Sequence, residues 1–251
     1  MNNVATVEKM QQMKLCGMAR AFKSTMETTR NNKFTADELV AHLVDTEWDE
    51  RYNRKLKRLI THARFRYQSS IEQLDFQLAR NLDKNMMLRF SECDWVEKKR
   101  DIIITGETGV GKSFIATALA HQGCMKGFSA GYFNCAKLFS RLKLAKVDGS
   151  YIKELNKIQN SDILVLDDFG LHPIDADNRL ALLEIMEDRH GRKSTIISSQ
   201  FPVKNWHDII GDPTIADAIC DRVIHNAFRI ELKGESVRKK YARKNSDKEV
   251  I

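Results

Sequence analysis

The chain has 251 residues, 42% of them hydrophobic and 8% aromatic, and a formal net charge of +7, which suits a mid-sized α/β domain with a smaller companion. Its five cysteines form no C-x-x-C pair and its seven histidines no H-x-x-x-H pair, arguing against a disulfide framework or zinc site and for a reducing cytoplasm. No apolar run approaches a membrane span and the N-terminal residues carry no signal-peptide pattern, so a cytoplasmic protein without membrane partners is expected.

Residues 1 to about 68 read as helices. Met10, Met13, Met18, Phe22 and Met26 recur near helical spacing, and Leu39, Val40, Leu43 and Val44 mark a further helix opened by a Thr35-x-x-Glu38 capping box. Such stripes are core material rather than cofactor contacts. Arg51, Arg54, Lys55, Lys57, Arg58, Arg64 and Arg66 follow with no acid among them. One-sided charge favours a polyanion, most often nucleic acid, so Arg54, Lys55 and Arg58 are candidate DNA contacts; a solvated helix face is the plainer alternative. A helical domain over 1–68, devoted to DNA or partner contacts, is therefore expected ahead of an α/β domain over 69–251.

From Ser69 onward strands alternate with helices, as in a parallel sheet with crossovers. Candidate strands lie near 101–105, 130–134, 162–167, 194–199 and 227–232, and Pro173, Pro202 and Pro213 mark loops. The first strand, rich in Ile, runs into Gly106-Glu107-Thr108-Gly109-Val110-Gly111-Lys112-Ser113, and Phe114 opens an alanine-rich helix. This fits G-x-x-x-x-G-K-[ST] at every fixed position. The glycines let successive N–H groups turn toward an anion, and the helix N-terminus adds partial positive charge. Lys112 would reach the outer phosphates, and the Ser113 hydroxyl would ligate Mg²⁺. A glycine-rich turn without chemistry is the alternative, and the strand and helix on either side argue against it. The site expected is one for ATP.

Ser161 to Asp168 is an apolar strand ending in two carboxylates. Alone it fits an ordinary buried strand. Beside the loop, Asp167 reads as the magnesium anchor, direct or through water, and Asp168 as the group that orients or deprotonates the attacking water.

Several stretches together resemble the IstB/DnaC branch of the AAA+ ATPases, the insertion-sequence transposition helpers related to helicase loaders. They are "IEQLDF" (71–76), "GETGVGKSFIATALA", "DILVLDDFG" (162–170), "STIISSQFPVKNW" (194–206), "DAICDRV" (217–223) and "GESVRKK" (234–240). They run in the family's order over about two-thirds of the chain, closer to the transposition helpers than to the loaders. The resemblance implies an AAA+ core with its helical lid absent or vestigial. It implies a polar sensor of the γ-phosphate at the end of the fourth strand, where Ser198-Ser199-Gln200 lacks the usual asparagine. Ser199 and Gln200 are the candidates, and a plain strand end is the alternative. It further implies that Arg222 is an arginine finger entering a neighbouring subunit's site, unless it is a surface arginine paired with Asp217 or Asp221. Arg238 matches the second sensor arginine, touching the nucleotide of its own subunit, unless it merely joins the basic tail. Between the second and third strands, the resemblance points to Arg141, Lys143 and Lys146 as DNA phosphate contacts on the inside of an oligomer; the alternative is a solvated face. Asp168 stands where many AAA+ proteins have glutamate, in agreement with this branch, and its shorter reach implies slow hydrolysis.

The expectation is an ATP- and Mg²⁺-dependent protein that assembles as a ring or spiral on double-stranded DNA and recruits and stimulates a transposase. The rival readings are a replicative helicase loader, a small-molecule kinase and a switch that binds ATP without hydrolysing it.

Overall fold

Residues 3–27 and 34–237 are described by the structure, a computed structural model. The chain divides into two units, Met1–Arg58 and Leu59–Ile251.

The first unit holds α1 (Asn3–Gln12), α2 (Cys16–Glu27) and most of α3 (Ala36–Ala63). The expected capping box opens α3: the Thr35 N–H donates to Glu38 Oε2 at 2.8 Å and the Glu38 N–H to Thr35 Oγ1 at 3.3 Å. Gly17 lets α2 approach α3, since a Cβ there would stand 2.6 Å from the Thr46 carbonyl oxygen. Glu47, buried on α3, accepts the N–H groups of Gly17 at 2.8 Å and Met18 at 3.2 Å, and the Arg51 guanidinium at 2.6 Å. A carboxylate thereby satisfies the open N–H groups at the start of α2. Burial alone would raise its pKa, but Arg51 and the two backbone donors together hold it below the ordinary value.

The second unit contains, in chain order, α4 (Lys84–Ser91), α5 (Asp94–Glu97), β1 (Asp101–Gly106), α6 (Lys112–Met125), β2 (Ala130–Asn134), α7 (Cys135–Val147) and α8 (Tyr151–Gln159). There follow β3 (Ile163–Phe169), α9 (Ala176–Arg189), β4 (Ser194–Ser199), α10 (Trp206–Ile210), α11 (Pro213–Ile224) and β5 (Ala227–Leu232). The strands form one parallel sheet in the order β2-β3-β4-β1-β5. Strand periodicity splits the core between its two faces. Ile102, Ile104, Ile163, Val165 and Ile196 pack with α6 on one side, and Ile103, Leu164, Leu166 and Ile197 with α7, α9 and α11 on the other. Strands buried on both faces read as continuous apolar runs, which made them legible in the sequence.

The second unit begins within α3: Ala63 is buried in its core, with Leu59, Ile60 and Phe65 packed against it. One expectation meets a different arrangement. Pro213 is not in a loop but opens α11, following the Asp212 cap, whose carboxylate accepts the Ile215 N–H at 2.9 Å. At a first helical position the missing proline N–H has no intrahelical partner to lose.

Candidate nucleotide site

The loop between β1 and α6 lies at the C-terminal edge of the sheet. Gly109 and Gly111 have φ of 88° and 102°, conformations that cost a side chain and suit glycine. Val110 between them is fully buried, which anchors the loop from below. Lys112, the first residue of α6, is largely buried and its Nζ donates to the Glu107 carbonyl at 2.8 Å. The cleft above the loop has a volume of about 670 Å³, within the roughly 300–1,000 Å³ usual for small-molecule sites. Thr108, Gly109, Gly111, Lys112, Ser113, Phe114, Asp168 and Gln200 line it, together with Arg66, Tyr67, Gln73, Leu78, Arg80 and Val237. Polar groups gather at the loop, while Tyr67 and Phe114, ring centroids 6.4 Å apart, supply an aromatic wall. The segment after β5 closes against the loop: the Val237 N–H donates to the Gly109 carbonyl at 2.9 Å, and a Cβ on Gly109 would lie 2.2 Å from Ser236 Oγ.

Of the two carboxylates at the end of β3, Asp168 lines this cleft and Asp167 lies buried beside it, bonded to Ser113 of the cleft wall, although neighbouring strand residues ordinarily face opposite ways. The pairing of β3 with β4 is irregular between Leu166 and Phe169, and Asp168 has φ 57°. That bulge turns the strand so that Arg66 Nη1 lies 3.8 Å from Asp167 Oδ2 and 3.6 Å from Asp168 Oδ2. Asp167 is fully buried. Its Oδ1 accepts Ser113 Oγ at 2.8 Å and the hydroxyl of Ser198, and its Oδ2 accepts the hydroxyl of Tyr132. Burial, and then the Asp167 charge, push the Tyr132 hydroxyl upward in pKa, so it remains a donor. Asp168 Oδ2 accepts Asn134 Nδ2 at 2.9 Å. Burial first and Asp167 second raise the Asp168 carboxyl above its ordinary value, opposed by Arg66, Lys112 and the Asn134 bond.

These donors fit a hard cation. Magnesium is usually held by one or two carboxylates together with water and substrate phosphate, and a carboxylate already bonded to a loop hydroxyl is such an oxygen pair. Ser113 and Asp167 would hold the ion.

A family model described as IstB-like ATP binding protein matches residues 8–245. The chain belongs to this family. Among relatives of the IstB-like chain, a putative insertion sequence ATP-binding protein of Sinorhizobium fredii is 42% identical over 96% of this chain and 98% of its own. The putative ATP-binding protein of insertion sequence IS1162 from Pseudomonas fluorescens is 36% identical over 78% of this chain and 86% of its own. Among solved structures, DnaI is similar at a TM-score of 0.57 and 21% identity, covering 72% of this chain and 92% of that one. The DnaC helicase loader follows at 0.54 and 22%, covering 66% and 98%. These two likenesses concern the fold alone. Among the described residues, no helix is long and apolar enough to cross a membrane.

The other candidates of this IstB-like protein lie as follows. Gln200 Oε1 accepts Thr108 Oγ1 at 2.7 Å, joining the strand end to the loop, whereas Ser199 Oγ donates to the Phe169 carbonyl at 2.8 Å. Ser198, one residue earlier, is the serine that touches Asp167. Arg222, on α11, donates to Glu187 at 2.7 Å and to the Ala218 carbonyl at 2.7 Å rather than pairing with Asp217 or Asp221, and it does not line the cleft of its own chain. Arg238 lies outside the described residues. Arg141, Lys143 and Lys146, all on α7, pair with Glu154, Asp175 and Asp177. On α3, Arg54 stands 3.6 Å from Glu50, and Lys55 and Arg58 are exposed. Sequence reasoning did not single out Tyr132 and Asn134, at the end of β2, or Arg80. Hydroxyl and amide residues ending the strand next to the carboxylate strand were the available signal.

Proposed function

We propose that this chain hydrolyses ATP with the help of Mg²⁺ and uses the nucleotide to assemble on double-stranded DNA, where it engages the transposase of its insertion sequence. The observation that carries the hydrolytic reading is the convergence of Asp167 and Asp168 on the loop that holds Ser113 and Lys112. Lys112 would bind the outer phosphates, and a magnesium ion, when bound, would offset charge on the phosphate oxygens. Asp168 would take the proton of the attacking water.

The mobile-DNA context is taken from the relatives, which are named as insertion sequence proteins. The same names favour a transposase over a replicative helicase as partner. Arg64, Lys137 and Arg141 share a recess of about 480 Å³ beside Asp168, a place for phosphate near the reacting centre. In this reading residues 1–68 serve DNA or partner contacts, and subunits assemble so that Arg222 enters a neighbour's site.

Asp168→Asn tests the chemistry. Nucleotide binding should persist while phosphate release falls about 10²–10⁴-fold, the usual worth of a general base. Normal turnover would remove Asp168 from that role. Copurification with a hexameric helicase instead of a transposase would overturn the partner assignment.

A further inference from the structure

Arg66 follows the end of α3 and lines the same cleft as Lys112 and Ser113. It lies 3.8 Å from one carboxylate of the metal site and 3.6 Å from the other, and its guanidinium sits over the Tyr67 ring at 5.3 Å. Two adjacent aspartates, one fully buried, form a pair of like charges that is costly without a cation beside it. One guanidinium nitrogen, Nη1, stands near both carboxylates, and the guanidinium stays charged at any working pH. Asp168 Oδ2 is held from one side by Asn134 Nδ2 at 2.9 Å and neighbours Arg66 on another.

We propose that Arg66 is a positioning residue of the nucleotide site, a cation on the same chain that balances the Asp167–Asp168 pair and fixes Asp168 Oδ2. Oδ1 of Asp168 is then the oxygen presented to the attacking water. The role differs from that of an arginine donated across a subunit boundary, because it is complete within one chain. It rests on the reading of the cleft as a site of ATP hydrolysis. It also sets Arg66 against the metal ion, since both are attracted to the same carboxylates.

The competition provides a readout independent of turnover. Binding of a fluorescent ATP analogue is measured as Mg²⁺ is titrated, without DNA, in wild type, Arg66→Ala and Arg66→Lys. Removing a charge next to the carboxylates should lower the half-saturating Mg²⁺ by roughly 3- to 10-fold. Arg66→Lys, with its charge restored, should return it to near wild type. In steady state, Arg66→Ala should lose roughly 10- to 100-fold in kcat, the cost of a misplaced reacting group, with KM for ATP little changed. Arg66→Lys should recover part of kcat only, because a flexible ammonium lacks the planar group that lies over the Tyr67 ring. An unchanged Mg²⁺ midpoint in a folded Arg66→Ala protein overturns the proposal. So does an Arg66→Lys protein as impaired as Arg66→Ala in both readouts. If wild type binds ATP but shows no turnover, the hydrolytic reading fails, and the Mg²⁺ midpoint still decides whether Arg66 balances the pair.

Discussion

Ser113 Oγ donates to Asp167 Oδ1 at 2.8 Å, joining the first turn of α6 to the end of β3 across 54 positions of sequence. The bond ties the glycine-rich loop to the carboxylate proposed to hold magnesium. Tyr132 and Ser198 complete the ring of hydroxyls around the same carboxylate. Such outer partners orient a ligand and typically govern about 10- to 100-fold in metal affinity. Ser198→Ala and Tyr132→Phe should each raise the Mg²⁺ needed for tight nucleotide binding by that order, with Mg²⁺-free binding little changed. Titration of a fluorescent ATP analogue checks this, and a normal Mg²⁺ midpoint in both variants would remove Asp167 as the ligand.

A second prediction concerns the opposite edge of the sheet. Asp101 opens β1, is buried, and accepts the Thr195 N–H at 2.6 Å. Burial pushes its carboxyl up to about 7, against the Thr195 bond and the nearby Arg189 charge. A carboxyl with a raised folded pKa binds its proton more tightly in the native state than in the unfolded chain. Its contribution to stability is therefore full below the ordinary pKa of 3.8 and is lost as pH rises toward about 7. Asp101→Asn keeps an acceptor for Thr195 and cannot ionise, so it should flatten this part of the stability–pH curve. Urea denaturation between pH 5 and about 8 measures it; equal slopes in wild type and variant would show that Asp101 titrates normally.

The strands and the loop were legible because each is a local pattern. An Ile-rich run, three glycines and a lysine lie consecutively, and fully buried strands leave continuous apolar stretches. What surrounds Asp167 was not legible, because Tyr132, Ser198 and Arg66 come from three separate segments that only the folded chain brings together. The bulge that brings both carboxylates beside Arg66 has no residue signature either: Asp168 adopts a left-handed conformation at a position where glycine would have signalled it. Arg66 was visible, but only as one charge in a basic run, and composition could not separate it from its neighbours. Ala63 and Phe65 likewise look like ordinary helix residues until the core they join is known.

The third prediction tests the DNA contacts. If about six to ten cations meet phosphates, affinity should fall roughly 10³–10⁵-fold between about 50 and 200 mM salt. Lys143 and Lys146 pair with Asp175 at 2.5 Å and Asp177 at 3.3 Å, and all four side chains are well exposed. Surface pairs of this kind hold weakly, so a phosphate can displace them. Neutralising Arg141, Lys143 and Lys146 together should flatten the salt dependence and leave ATP binding intact. Asp177→Asn should act the other way and tighten DNA binding. An unchanged slope in the triple variant would move the contact to Arg54, Lys55 and Arg58.

The last prediction concerns assembly. Within one chain the cleft brings Lys112, Ser113, Arg66 and Asp168 together, with Asp167 bonded to Ser113 behind it, and Arg222 does not line it. An arginine supplied across a boundary can contribute about 10³–10⁵ in rate to phosphoryl transfer. Arg222 is held on α11 by Glu187 at 2.7 Å, an acid it would have to leave to meet a neighbour's phosphate. Arg222→Ala should bind ATP almost normally, hydrolyse it poorly and assemble weakly on DNA. Lys112→Ala should lose tight ATP binding while keeping its arginine. Mixing the two proteins should restore part of the turnover, because some interfaces then combine an intact loop with an intact arginine. Each variant alone, at the same total concentration, should stay inactive. Glu187→Gln, which releases Arg222 from its ion pair, should raise turnover in the assembled state and leave ATP affinity unchanged. If the mixture is as inactive as its components while both remain folded, Arg222 does not act between subunits.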